Sequence, residues 1–252
     1  MQARLQASRP MTRARFLQSH ALSLMLIALV FLHGPAMAQE PKREIFLPAA
    51  GKGAVVIVVS GISGPALYKD YSAKLAGLGY YTVLVDGNDI LVRTQDGRGS
   101  TGAENLRKII ADAQTAPQAS GGKVALVGFS LGGGGVLLHG APLMDLVSAV
   151  VAYYPAITSM GPDMVPLASR IRVPVLLLSG EQDRYFNCCL IESMRALASA
   201  AKANHAVFEL VAYPGANHGF NLRVPTHRAD DANDAWGKTI SFLRRLHPPF
   251  VQ

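Results

Sequence analysis

Only two of the 252 residues are cysteine, and they are neighbours, Cys188 and Cys189. Standard bridge geometry disfavours a disulfide between adjacent residues, which favours a pair of thiols at a helix start, but the sequence leaves reduced thiols and a vicinal disulfide both open. No further Cys or His lies near them at ligand spacing, so the sequence offers no zinc site and no other metal site. Lys and Arg never run beyond pairs, and they do not interleave with aromatic residues. That removes the electrostatic argument for nucleic acid. Acid is missing altogether from the first 38 residues, which hold Arg4, Arg9, Arg13 and Arg15. Without those four, the formal charge of +7 shrinks to 20 basic against 17 acidic residues.

No apolar run is long enough to cross a membrane. Residues 21–32 form an apolar stretch, short of the roughly 20 residues a spanning helix needs. Basic residues precede it, Gly34 and Pro35 break it, and Ala36-Met37-Ala38 follows as an A-x-A cleavage site. Residues 1–38 therefore read as a signal peptide. The expectation is an exported protein, periplasmic or secreted, whose mature chain, 39–252, begins at Gln39 and has no stable membrane anchor. No Cys follows the run to carry a lipid.

Half of the chain is apolar, ample for a core, and the mature part shows neither a linker nor an internal repeat. The run 53–60 is continuously apolar and β-branched, as suits a parallel strand buried on both faces. Strands follow at 80–85, 123–127, 146–154, 173–179 and 206–213. Helical patterns lie at 68–78, 101–114, 190–202 and 229–246, with Thr101 and Glu104 spaced as a capping box. Residues 90–100 and 155–169 read as loops. This alternation calls for a single three-layer α/β domain with a mostly parallel central sheet and no cap domain.

In such sheets, sites form at the carboxyl ends of strands. Gly128-Phe129-Ser130-Leu131-Gly132 joins an apolar strand to a helix start and has the form of a nucleophile elbow. Gly180-Glu181-Gln182-Asp183 follows a later strand, and Tyr213-Pro214-Gly215-Ala216-Asn217-His218-Gly219-Phe220 follows the last. Ser, acid and His in that order match the α/β-hydrolase triad. Ser130 would attack a carbonyl carbon, His218 would move the proton, and Asp183 would orient the imidazole. The backbone N–H groups of Leu131 and Ile62 would form the oxyanion hole. Glu181 and Asp163 are the rival acids. Of the other histidines, His139 falls inside a helix, His205 at the wrong strand end, and His227 and His247 flank the last helix as solvated residues.

These three segments resemble the dienelactone hydrolase family within the α/β-hydrolase superfamily, over roughly residues 55–246. The resemblance implies a compact enzyme, a monomer or weak homodimer, that needs no cofactor and cleaves small-molecule esters or lactones. It implies the same three roles for Ser130, Asp183 and His218. Two positions depart from the family's founding enzymes, which carry Cys as nucleophile and an acid where Gly61 stands. Those enzymes hold an anionic substrate with arginines, for which Arg223, Arg93 and Arg98 are the candidates here. The sequence reading is therefore a serine carboxylesterase. The rivals are an oligopeptidase-like amidase and a non-catalytic binding protein on the same fold.

Overall fold

Burial on both faces decides the architecture. All five residues of the strand Val55–Val59 are buried. Val55, Ile57 and Val59 belong to one hydrophobic cluster, and Val56 and Val58 to another, so the strand divides its side chains between two cores. A continuous apolar run is what such a strand requires.

In the computed structural model, residues 41–91 and 100–249 are described. The strands are β1 (Arg43–Phe46), β2 (Val55–Val59), β3 (Tyr81–Val85), β4 (Val124–Phe129), β5 (Val147–Tyr153), β6 (Val175–Gly180) and β7 (Phe208–Tyr213). They form one seven-stranded sheet in the order β1-β3-β2-β4-β5-β6-β7, parallel except for β1. The principal helices are α1 (Lys69–Gly77), α2 (Gly87–Ile90), α3 (Ser100–Gln114), α4 (Leu131–Gly135), α5 (Val165–Ala168), α6 (Ile191–Ala203) and α7 (Ala229–Leu246). Leu106 and Ile110 of α3 and Met194 and Leu197 of α6 join one core. Tyr71 and Leu75 of α1 and Phe242 and Leu243 of α7 join the other. The result is the three-layer α/β fold that the alternation calls for.

The structure departs from the sequence reading in several places. β1 carries no strong signal, because it is four residues long, half-exposed and at the sheet edge. Thr101 is already inside α3 rather than capping it, since the helix starts at Ser100. The loop expected at 90–100 lies largely outside the described residues, and so does the segment 1–38. After α4 the backbone widens into a π-turn over Val136–Gly140. Of the two states open to Cys188 and Cys189, the structure has the disulfide. His247 is buried rather than solvated, with Nδ1 2.9 Å from Ser148 Oγ. Among the described residues, no helix is long and apolar enough to cross a membrane.

The chain leaves β2 toward β3 and returns to place β4 on the other side of β2. The segments after β2 and β4 therefore part at the carboxyl end of the sheet, where an open α/β sheet forms its crevice.

Candidate active site

Ser130 sits at the apex of the turn from β4 into α4, with φ 51° and ψ −114°. A non-glycine residue holds such a conformation only where its surroundings over-determine it. Here they do. Ser130 N–H donates to Tyr153 O at 2.9 Å, Ala156 N–H donates to Ser130 O at 2.8 Å, and Gly132 N–H donates to Ser60 O at 3.1 Å. The flanking glycines are steric necessities. A Cβ on Gly132 would lie 2.4 Å from the carbonyl oxygens of both Ser60 and Val59, and one on Gly128 2.4 Å from Gly132 O.

The acid and the histidine meet because β6 and β7 are neighbours. Glu181 N–H donates to Tyr213 O and Gln182 N–H to Ala216 O, both at 3.0 Å, which clamps the two strand ends together. Asp183 is fully buried. Its Oδ2 lies 2.7 Å from His218 Nδ1, and its Oδ1 accepts from Tyr185 N–H at 3.0 Å. His218 Nε2 lies 3.0 Å from Ser130 Oγ. A hydrogen-bonded chain thus runs from a buried carboxylate through an imidazole to a hydroxyl. Thr226 Oγ1 donates to His218 O at 2.6 Å, which fixes the backbone. The rival acids are elsewhere. Glu181 is paired with Arg195, and Asp163 Oδ1 accepts from Val165 N–H at 2.9 Å.

A cavity of about 400 Å³ opens on Ser130 and His218. Its walls are mostly apolar, with Ile62, Leu67, Leu222 and Val224 beside three tyrosines. Ile62 comes from the segment after β2. Its carbonyl accepts from Asn88 Nδ2 at 3.0 Å, which holds the loop in place. Among the described residues, neither the Leu131 nor the Ile62 N–H donates to a backbone carbonyl. A Cβ on Gly61 would lie 2.6 Å from Tyr68 Oη and 3.5 Å from Ser130 Cβ, so an acid at that position would require the Tyr68 hydroxyl to shift.

The tyrosines are the part of the site that sequence reasoning missed. Tyr185 stacks on His218, and Tyr154 lies against the same ring with centroids 4.6 Å apart. Burial pushes Tyr68 up to about 12, against the opposing effect of the Gly61 backbone N–H. Burial also holds Tyr154 well above the usual phenol range, and the Asp183 charge adds to it. Both stay protonated and neutral. Tyr185 stands two residues after the acid, the one local signal available; Tyr68 and Tyr154 read only as core.

Two further expectations change. Arg223 does not line the Ser130 cavity but a neighbouring one, with Lys74, His227 and Trp236. Arg184 lines the cavity instead and pairs with Glu192 at 3.5 Å. Arg93 and Arg98 lie outside the described residues. The absence of a His partner for the cysteines is also corrected. His218 is remote in sequence, yet its ring comes within 4.8 Å of both sulfurs.

The model of the dienelactone hydrolase family matches residues 44–247. The chain belongs to that family. This dienelactone hydrolase family member is 31% identical over 232 residues to a Yersinia pestis protein described as "Putative carboxymethylenebutenolidase", across 83% of this chain and 82% of the relative. Its fold is similar to a crystal structure named "Putative Dienelactone Hydrolase" from Klebsiella pneumoniae, with a TM-score of 0.69 at 21% identity over 81% of this chain and 93% of the other. It is also similar to Thermogutta terrifontis esterase 2 phosphorylated by paraoxon, with a TM-score of 0.65 at 19% identity over 84% and 91% of the two chains. The family is one of hydrolases, and this member is a hydrolase.

Proposed function

We propose that this family member cleaves carboxylic esters or lactones through an acyl-Ser130 intermediate. The observation that carries the reading is the continuous chain Asp183 Oδ2, His218 Nδ1 and Nε2, Ser130 Oγ, with contacts of 2.7 and 3.0 Å. Ser130 Oγ attacks the carbonyl carbon as His218 Nε2 takes its proton. His218 then protonates the leaving alkoxide, and the acyl group stays on Ser130. A water, deprotonated by His218, releases the acid and restores the hydroxyl. Asp183 keeps the imidazole in the tautomer with its proton on Nδ1 and stabilises the imidazolium.

The oxyanion is assigned to the N–H groups of Leu131 and Ile62. Each such donor lowers the barrier by about 3 kcal/mol in comparable hydrolases. The apolar walls favour a neutral ester group over the anionic substrate that a cluster of arginines would hold. Export under the segment 1–38 belongs to the same reading. N-terminal sequencing of the protein from the extracytoplasmic fraction should begin at Gln39, and an intact N-terminus there would oppose export by cleavage.

The decisive experiment treats the purified mature protein with a fluorophosphonate probe and locates the adduct by mass spectrometry. The adduct is expected on the peptide that holds Ser130. Absence of labelling, or labelling that persists in Ser130→Ala, refutes the nucleophile assignment. A panel of p-nitrophenyl esters against peptide anilides then separates esterase from amidase.

A further inference from the structure

The vicinal cysteines lie beside the imidazole on which the proposed chemistry depends. Among the described residues, Cys188, Cys189 and His218 are the one group of three His, Cys, Asp or Glu side chains whose ligand atoms all fall within 4.8 Å of one another. In the disulfide the sulfurs are tied to each other and offer no thiolate. We propose that, once the disulfide is reduced, Cys188, Cys189 and His218 form a binding site for a thiophilic divalent cation, and that filling it silences the hydrolase. The silencing rests on His218 being the base; the binding does not.

Three observations support the site. The first is its donor set. Two thiolates and one imidazole suit zinc or cadmium and select against magnesium or calcium. In a tetrahedral site with metal–sulfur bonds near 2.3 Å and metal–nitrogen bonds near 2.0 Å, sulfur and nitrogen donors sit about 3.5 Å apart and two sulfurs about 3.8 Å apart. Each sulfur–nitrogen separation is thus within about 1.3 Å of a metal's demands before any ion arrives, and reduction frees the two sulfurs to move apart.

The second is that the backbone holds the pair in place independently of the sulfur–sulfur bond. Thr158 N–H donates to Cys188 O at 3.0 Å, and Leu190 N–H donates to Thr158 Oγ1 at 3.0 Å. Both tethers survive reduction, so the freed sulfurs stay beside the histidine. A metal between them enlarges the ring closed by the disulfide by a single atom.

The third is access. Cys189 is fully buried and part of a core cluster, but Cys188 is only half-buried and His218 lines the open cavity. The segment before them carries Asp183 and Tyr185, and Phe186 and Asn187 within it both have positive φ, 44° and 52°. The pair therefore closes the loop that carries the acid and the stacking tyrosine.

The chemistry balances. A dithiol or phosphine reductant supplies two electrons, and two protons from water or the reductant convert the disulfide to two thiols. The reductant leaves as its own disulfide or as the phosphine oxide. A divalent cation then displaces the two thiol protons to solvent and accepts a lone pair from one imidazole nitrogen. The ligating nitrogen is either Nε2, which gives up its hydrogen bond with Ser130, or Nδ1, which gives up the one with Asp183 and whose proton moves to Nε2; in both cases the proton relay is broken.

The test uses the mature chain, reduced with a phosphine that is then removed, and titrated with Cd²⁺ under anaerobic conditions. With two cysteines in the whole chain, any cadmium–thiolate absorption in the ultraviolet reports this pair. The reduced protein should bind one Cd²⁺, lose ester hydrolysis in step with binding and recover it on chelation. The oxidised protein should show no such absorption and keep its rate. His218→Ala should keep the thiolate absorption but weaken Cd²⁺ binding about tenfold or more, the scale of a lost or misplaced metal contact. Cys188→Ser, at a half-buried position, should lose affinity by at least as much. The proposal is overturned if reduced protein takes up no Cd²⁺, if His218→Ala binds it as tightly, or if the bound metal leaves the rate untouched. If no form hydrolyses esters, the absorption titration still decides the site, and the failure belongs to the hydrolase reading alone.

Discussion

The ring of Tyr185 lies nearly flat on the imidazole of His218, with centroids 4.4 Å apart and planes within 10°. Tyr154 supports the same imidazole from a fully buried position, so His218 is held between an interior ring and one that is 44% exposed. The outer ring both orients the imidazole and covers one of its faces. Aromatic pairs of this kind contribute about 0.5–1.5 kcal/mol beyond area burial. Tyr185→Ala should therefore lower kcat/KM about 2- to 13-fold, with little change in the thermal midpoint. Tyr185→Phe should keep the wild-type rate, because the stacking needs only the ring. Steady-state kinetics on a p-nitrophenyl ester check both, and an unchanged kcat/KM in Tyr185→Ala would remove the ring from the positioning of His218.

Asp183 is the most constrained member of the site. Both carboxylate oxygens accept hydrogen bonds, one from His218 and the other from the Tyr185 N–H. Asp183→Asn keeps the volume but replaces one acceptor with a donor. Either the amide NH₂ faces the Tyr185 N–H, or it faces Nδ1 and selects the wrong imidazole tautomer. The expected result is a fall in kcat of roughly 10³- to 10⁴-fold with fluorophosphonate labelling of Ser130 slowed in parallel. A loss of less than tenfold would mean that Asp183 does not set the tautomer.

How much of this was legible in the sequence follows from what each residue must satisfy. β2, β4, β5 and β6 are buried on both faces, so their apolar runs have no polar alternation to confuse them. β1 is an antiparallel edge strand whose register with β3 is set in three dimensions, and its four residues alternate too briefly to register. That Ser130, Asp183 and His218 come together was legible because each stands at a strand end among turn residues. Their supporting rings were not. Tyr68 and Tyr154 are core residues first, and only the sheet order brings them beside Ser130. Arg223 was misread for the opposite reason. It is five residues from His218 in sequence, but Leu222 lines both cavities while Arg223 lines only the neighbouring one.

The elbow makes a contrast between two glycines. A Cβ at position 132 meets two carbonyl oxygens at 2.4 Å, both in β2 or just after it, and neither end can swing away. Gly132→Ala should displace the turn, abolish fluorophosphonate labelling and lower the yield of folded protein. Gly237, in the interior of α7, has nothing within 4 Å of its Cβ position. Gly237→Ala should raise stability by up to about 1 kcal/mol through helix propensity and leave activity unchanged. Chemical denaturation of the two variants against wild type checks the opposite signs.

Acid sensitivity follows from two histidines that the proposed chemistry does not use. His139 and His247 are both buried, and among the described residues the Nε2 of His139 has no hydrogen-bond partner. Burial pushes both down to about 4 from 6.5, and the Arg170 charge adds to the effect at His139. The folded values lie below the unfolded ones, so between pH 6.5 and about 4 the unfolded chain binds more protons than the native one. The stability that these groups contribute is fully present above pH 6.5 and is lost as the pH falls toward 4. Asp112 acts in a lower window. Its hydrogen bond from Arg43 holds its carboxyl below 3.8, so its contribution goes only once the histidines have charged. The thermal midpoint should therefore be flat from about pH 8 to 7 and decline steadily to about pH 4.5. His139→Leu removes one of the two protonation sites and should make that decline shallower. A wild-type midpoint that stays level down to pH 4.5, or a His139→Leu profile parallel to the wild type, would show that the imidazoles charge in place without cost.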